Sequence, residues 1–257
     1  MKHVPGAQVA GNDESLGGIC PHTNDFATDA RIGGGITFLV VSWRRKEKWE
    51  ERAMNLEALL ALPKEELTGA AEGLTAGTIA DLADLLDEKA DEARYQALLL
   101  LTARAERFPD VLPHWSRFVE KLSSGNSYQR SIGVQMLAAN ARWADEGAVQ
   151  ACLPACFRLL ADEKPITARQ AIQSLGKIAR DAPSAAPEIA RALMGMDILS
   201  ARETMRKLLL VDACRALLSL KDVPALNDPV NAFLMSALSG DILDKAAKKQ
   251  IRAAMNG

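Results

Sequence analysis

Cys152 and Cys156 stand four residues apart, a spacing that puts both thiols on one helix face. The pair could supply half of a structural zinc site, which would need two further thiolate or imidazole ligands. The chain has 3 histidines, His3, His22 and His114, and only His114 falls in the part with helical periodicity. Val149 and Leu153 share the face of the two cysteines, so both are expected to be buried, reduced packing residues. The leader pair Cys20 and His22 is a weaker match still. Iron–sulfur ligation draws on several closely spaced cysteines, a pattern that Cys152, Cys156 and Cys214 do not provide. A Ser-His-Asp or Cys-His arrangement would have to run through His114, which sits beside Pro113 at a helix start. Gly33-Gly34-Gly35 lacks the spacing of a phosphate loop, and no Lys-Ser or Lys-Thr follows it. No catalytic residue, metal ligand or cofactor is therefore expected.

Cations are the second class of chemically useful residue. Lys245, Lys248, Lys249 and Arg252 recur at i, i+3, i+4 and i+7, one basic stripe on the last helix, and Arg206-Lys207 form a smaller cluster. The bland reading of that stripe is a solvated face near a helix C-terminus, where cations are favourable. The chain as a whole carries a formal net charge of −2, and the part after Met54 holds 24 basic against 26 acidic residues. That balance disfavours binding driven by phosphate neutralisation. Arg142 and Trp143 are adjacent, the residue types that dominate binding hot spots.

The elements that position these residues follow from periodicity. Val111, Trp115, Phe118 and Leu122 fall at i, i+4, i+7 and i+11, and Val149, Leu153, Cys156 and Leu160 repeat the spacing. No strand-like alternation of useful length appears, so the chain from 54 to 257 reads as all-α. A longer period is superposed on this one. Ala97-Leu98-x-x-Leu101, Gly133-Val134-x-x-Leu137 and Ala171-Ile172-x-x-Leu175 coincide at offsets of 36 and 38, and Ala105, Ala141 and Ala179 fall in line with them. Small residues at fixed places allow stacked helix pairs to share one core. Polar turns at 87–91, 123–127 and 162–165 separate the members of each pair, followed by Arg94, Arg130 and Arg169. The spacing predicts capping helices before 73 and repeats near 77–107, 110–142 and 146–181. An irregular unit follows near 184–220, then two terminal helices, with Asp241 as the N-cap of the last. Leu153-Pro154 is placed early in its helix.

Leu159-Leu160-Ala161-Asp162, Ala168-Arg169-x-Ala171 and Leu175-Gly176-Lys177-Ile178 resemble a HEAT repeat. Ala141-Arg142-Trp143 with the run from Asp162 to Gln170 is similar to small HEAT-like proteins of anaerobic Gram-positive bacteria, some labelled SufBD. The resemblance covers about 91–220. It implies a right-handed α-solenoid (armadillo-like) of stacked antiparallel helix pairs, in a bacterial cytoplasmic setting.

Residues 1–53 differ in kind: they hold seven of the 17 glycines and no sustained periodicity. Their apolar run from Ile36 to Val41 is too short to span a membrane, and its basic cluster follows where a secretory signal would have it precede. An unstructured native leader is one reading. The favoured one is that translation starts at Met54, since Glu50-Glu51-Arg52 would be encoded by purine-rich codons at the distance of a ribosome-binding site.

The expected function is a non-enzymatic scaffold that binds another protein or peptide, with Arg142, Trp143, Lys164, Arg169 and Arg180 as contact residues. Nucleic acid and membrane are not expected partners. A HEAT-like DNA-binding protein or alkyl-base DNA glycosylase is the alternative, through Trp115, Trp143 and Asp145. A role accessory to iron–sulfur cluster assembly, carried by the SufBD label, is the second alternative.

Overall fold

A computed structural model of the chain describes residues 56–256; the expected leader at 1–53 lies outside the described residues. Every regular element among the described residues is helical. Residues 56–60 are helical, and α1 spans Leu67–Glu72. Five helix pairs then follow in series. The first is α2 (Ala76–Leu85) with α3 (Asp91–Ala105). In the second, a 3-10 segment Pro109–His114 runs into α4 (Trp115–Lys121), which pairs with α5 (Ser127–Asn140). The third is α6 (Glu146–Arg158) with α7 (Pro165–Asp181). The fourth is α8 (Ala186–Met194) with α9 (Glu203–Leu218), and the fifth α10 (Asn227–Ser239) with α11 (Lys245–Asn256).

The three expected repeats therefore lie where the offsets put them, and the stretch beyond them resolves into two further pairs. The fourth looked irregular because its two helices are joined by a long connection that contains its own 3-10 turn, Ile198–Ser200. Two local expectations need correction. The last helix is capped by Asp244, whose Oδ1 accepts from the Ala247 N–H at 2.8 Å, so Asp241 is not the N-cap. Pro154 is in the interior of α6, with eight helical residues before it.

Side chains in the turns set the helix starts. Thr75 accepts from the Thr78 N–H, Asn126 from Tyr128 and Asp145 from Ala148. Each satisfies one of the amide groups that a first turn leaves without a partner. Pro165 opens α7 at a position where no N–H is needed.

Buried apolar side chains from Leu67 to Ile251 form one continuous cluster running through all the pairs. Leu101, Leu137 and Leu175, the repeated leucines, are all fully buried, as are Ala97 and Ala171. Each such leucine contributes about 2 kcal/mol by leaving water. At Gly133 an added Cβ would lie 2.8 Å from the Phe118 carbonyl oxygen and 2.9 Å from the Lys121 Cβ, so α5 presses directly on α4. Gly176 does the same between repeats: its Cβ would meet the Ala216 Cβ at 2.8 Å, bringing α7 against α9.

Successive second helices (α3, α5, α7, α9) pack along much of their length, whereas successive first helices touch sparingly. The second helices therefore form one closely packed layer of the stack.

Candidate functional site

Three zones of the second-helix layer collect its polar chemistry. The first is the edge where these helices begin. Arg130 holds Asp162 of the next turn at two points, Nε to Oδ2 at 2.6 Å and Nη2 to Oδ1 at 2.9 Å, and also donates to the Ser124 carbonyl. Burial pushes the Asp162 carboxyl up, but Arg130 and the Lys164 N–H outweigh it and hold the group below its ordinary pKa. Arg94, one repeat earlier, faces a turn that offers Gly125-Asn126 in place of an acid. It binds its own Asp91 and the Glu88 carbonyl, and its guanidinium lies 5.3 Å from the centre of the Tyr128 ring. Arg169 reaches forward to Asp212 in α9 at 2.6 Å, and Gln173 donates to the same carboxylate. Lys164 is the residue before α7; its ammonium is exposed, 3.6 Å from Glu163.

The second zone is the opposite edge, where the second helices end. The Trp143 indole N–H donates to the Ala105 carbonyl at 2.6 Å, and Arg142 donates to the Glu106 carbonyl at 3.0 Å. Both fill acceptors that the last turn of α3 leaves open. Arg142 also reaches Asp181 at 3.2 Å, and Lys177 lies 3.4 Å from Glu106 and 3.5 Å from Asp181. Three consecutive repeats are thereby tied together at their ends. Trp143 remains 36% exposed, so one side of its ring still faces solvent.

The third zone is a groove of about 350 Å³ along the seam where α7 packs on α9, toward their ends. Gly176 and Ala216 form its floor, and Gln173, Lys177, Arg180 and Arg215 stand around it. Arg180 is exposed and forms no ion pair among the described residues, and Arg215 donates only to the Gln250 amide oxygen at 3.2 Å.

A separate cleft of about 530 Å³ opens at the starting edge, where the long connection of the fourth pair leaves α9 apart from the end of α6; Phe157, Leu160, Met205 and Leu209 line it.

Of the five expected contact residues, Arg142 and Trp143 lie at the edge where the second helices end, Lys164 and Arg169 at the edge where they begin, and Arg180 in the groove. Sequence reasoning passed over Lys177 and Arg215. Gln173, Lys177 and Arg180 fall at i, i+4 and i+7, the signal that would have found one wall. The opposite wall belongs to α9, whose polar positions carry no repeat signature.

The remaining candidates are placed differently. Cys152, Cys156 and Cys214 are buried thiols. Cys152 and burial together push the Cys156 thiol up, and burial alone takes Cys214 up to about 11. Among the described residues no group of three or more His, Cys, Asp or Glu could hold a metal ion, and no helix is long and apolar enough to cross a membrane. Burial and Arg117 lower the pKa of His114, whose ring lies 6.4 Å from that of Phe118. Asp145 caps α6, and Trp115 opens α4 and packs, partly buried, against the core. The four cations of the last helix stand on a side of α11 other than the one where Gln250 meets Arg215, a charged end to the stack.

No family model and no curated protein matches the chain. Solved structures share its architecture. A designed armadillo repeat protein in complex with peptide (KR)4 aligns with a TM-score of 0.53 at 16% identity, over 82% of this chain and 93% of the other. A computationally designed armadillo repeat protein for modular peptide recognition gives 0.51, also at 16% identity, with the same coverage. The described residues thus form an all-α repeat with an armadillo-like arrangement of stacked helix pairs.

Proposed function

We propose that the chain is a non-enzymatic scaffold that binds a segment of another protein on its second-helix face. The observation that carries this reading is the open groove between α7 and α9, walled by Arg180 and Arg215, whose guanidinium groups form no ion pair among the described residues. Arg142, Trp143 and Arg169 serve this face by fixing the repeats against one another, so that little ordering entropy is lost on binding. The exposed flank of Trp143 and the ammonium of Lys164 mark its two edges. The designed armadillo proteins, one of them solved with a peptide, support the reading through their shared fold.

Affinity purification from cells expressing the full chain, with quantitative mass spectrometry, tests the assignment when wild type is compared with Arg180→Glu. Selective loss of a captured protein is the expected result. An unchanged set of captured proteins contradicts it.

A further inference from the structure

The charge of the α7–α9 groove defines its occupant more closely. Its walls carry Lys177, Arg180 and Arg215 against a single carboxylate, Asp212. Arg169 already binds Asp212, which is 3% exposed. Lys177 is shared between Glu106 and Asp181, so Arg180 and Arg215 are left as the two unneutralised cations, one on each wall. Guanidinium groups present a planar fork that matches a carboxylate at two points. The floor between them is the contact of Gly176 with Ala216, which closes the groove beneath the two guanidinium groups without adding a charge. The Gln173 amide nitrogen donates to Asp212 at 3.3 Å, which leaves its oxygen to accept from a peptide main chain.

We infer that this groove takes an extended acidic peptide segment of a partner protein, with Arg180 and Arg215 each gripping a carboxylate and Gln173 meeting the main chain. The inference rests on the scaffold reading and specifies its ligand. It reverses the charge of the peptide (KR)4 found with the designed relative. The small volume of the groove and the acidic balance of the chain favour a peptide over duplex DNA, which needs a broad basic surface.

Fluorescence anisotropy with the full chain tests this. The probes are labelled octapeptides rich in Asp and Glu, their Lys-rich counterparts and neutral ones, together with a labelled DNA duplex. The acidic peptide is expected to bind, and Arg180→Gln with Arg215→Gln to weaken it roughly tenfold or more, as for the loss of two charge-assisted contacts. Lys245→Gln with Lys249→Gln is expected to leave binding unchanged, and thermal melts of all variants to stay close to wild type. Binding of the Lys-rich or neutral peptides instead overturns the acidic ligand while the scaffold reading stands. Binding of none of the peptides overturns both. DNA binding as tight as that of the acidic peptide, or equal loss in the two double variants, shows attraction to charge alone and overturns the assignment.

Discussion

Arg130 and Asp162 join the second repeat to the third through a two-point ion pair whose carboxylate is only 4% exposed. Removing one partner leaves a charge in a site prepared for two. Arg130→Met is expected to lower stability by roughly 3 kcal/mol, the scale for breaking a buried pair. Urea unfolding followed by circular dichroism measures this, and a loss below about 1 kcal/mol would place the pair with exposed surface pairs.

The same pair sets a pH dependence. Asp162 and Asp87 both titrate below the ordinary carboxylate value, burial being outweighed by Arg130 and the Lys164 N–H in one case and by Lys121 and Arg117 in the other. A carboxylate with a depressed folded-state pKa stabilises above its unfolded value and loses that contribution as the pH falls through the folded one. The urea midpoint is therefore expected to hold steady at neutral pH and to drop below about pH 4. Asp162→Asn should flatten that drop; an unaltered acid slope would show that the pair is not its source.

Gly133 and Gly176 have no room for a methyl group. Gly133→Ala and Gly176→Ala are each expected to cost about 1–3 kcal/mol by overpacking, in spite of alanine's higher helix propensity. Gly69, with nothing within 4 Å of its notional Cβ, is the control, and its replacement by alanine should be neutral or stabilising. Thermal melts of the three variants make the comparison.

Buried thiols react slowly because the thiolate is the nucleophile. With Cys214 at about 11, roughly a thousandth of it ionises at pH 8. In a Cys20→Ser background, Cys156 and Cys214, and Cys152, whose pKa the Cys156 hydrogen bond lowers but whose burial bars the reagent, should resist an aromatic disulfide reagent in the native state and react together on unfolding. Fast labelling of any one under native conditions would place it at an exposed site.

Most of the fold was legible because a small residue, a branched residue and two leucines or alanines recur at nearly constant offsets. Those positions are fixed by close packing between second helices, a local constraint that each repeat must satisfy for itself. The two terminal helices were legible as well, but their cap was not: Asp241 and Asp244 both precede the last helix, and the backbone puts Asp244 next to the Ala247 N–H. Arg169 could be seen as a repeat arginine, but its partner lies 43 residues away in the middle of α9, at a distance no local pattern encodes. The groove escaped notice for a related reason: its two walls come from different repeats, and no local pattern brings Gln173, Lys177 and Arg180 of one beside Asp212, Arg215 and Ser219 of the other.

The second-helix face as the working surface is tested most directly by amide hydrogen exchange of the full chain, with and without a saturating acidic octapeptide. Added protection is expected within Ala171–Asp181 of α7 and Leu210–Leu218 of α9. Protection confined to the first helices α6, α8 and α10 would contradict the account.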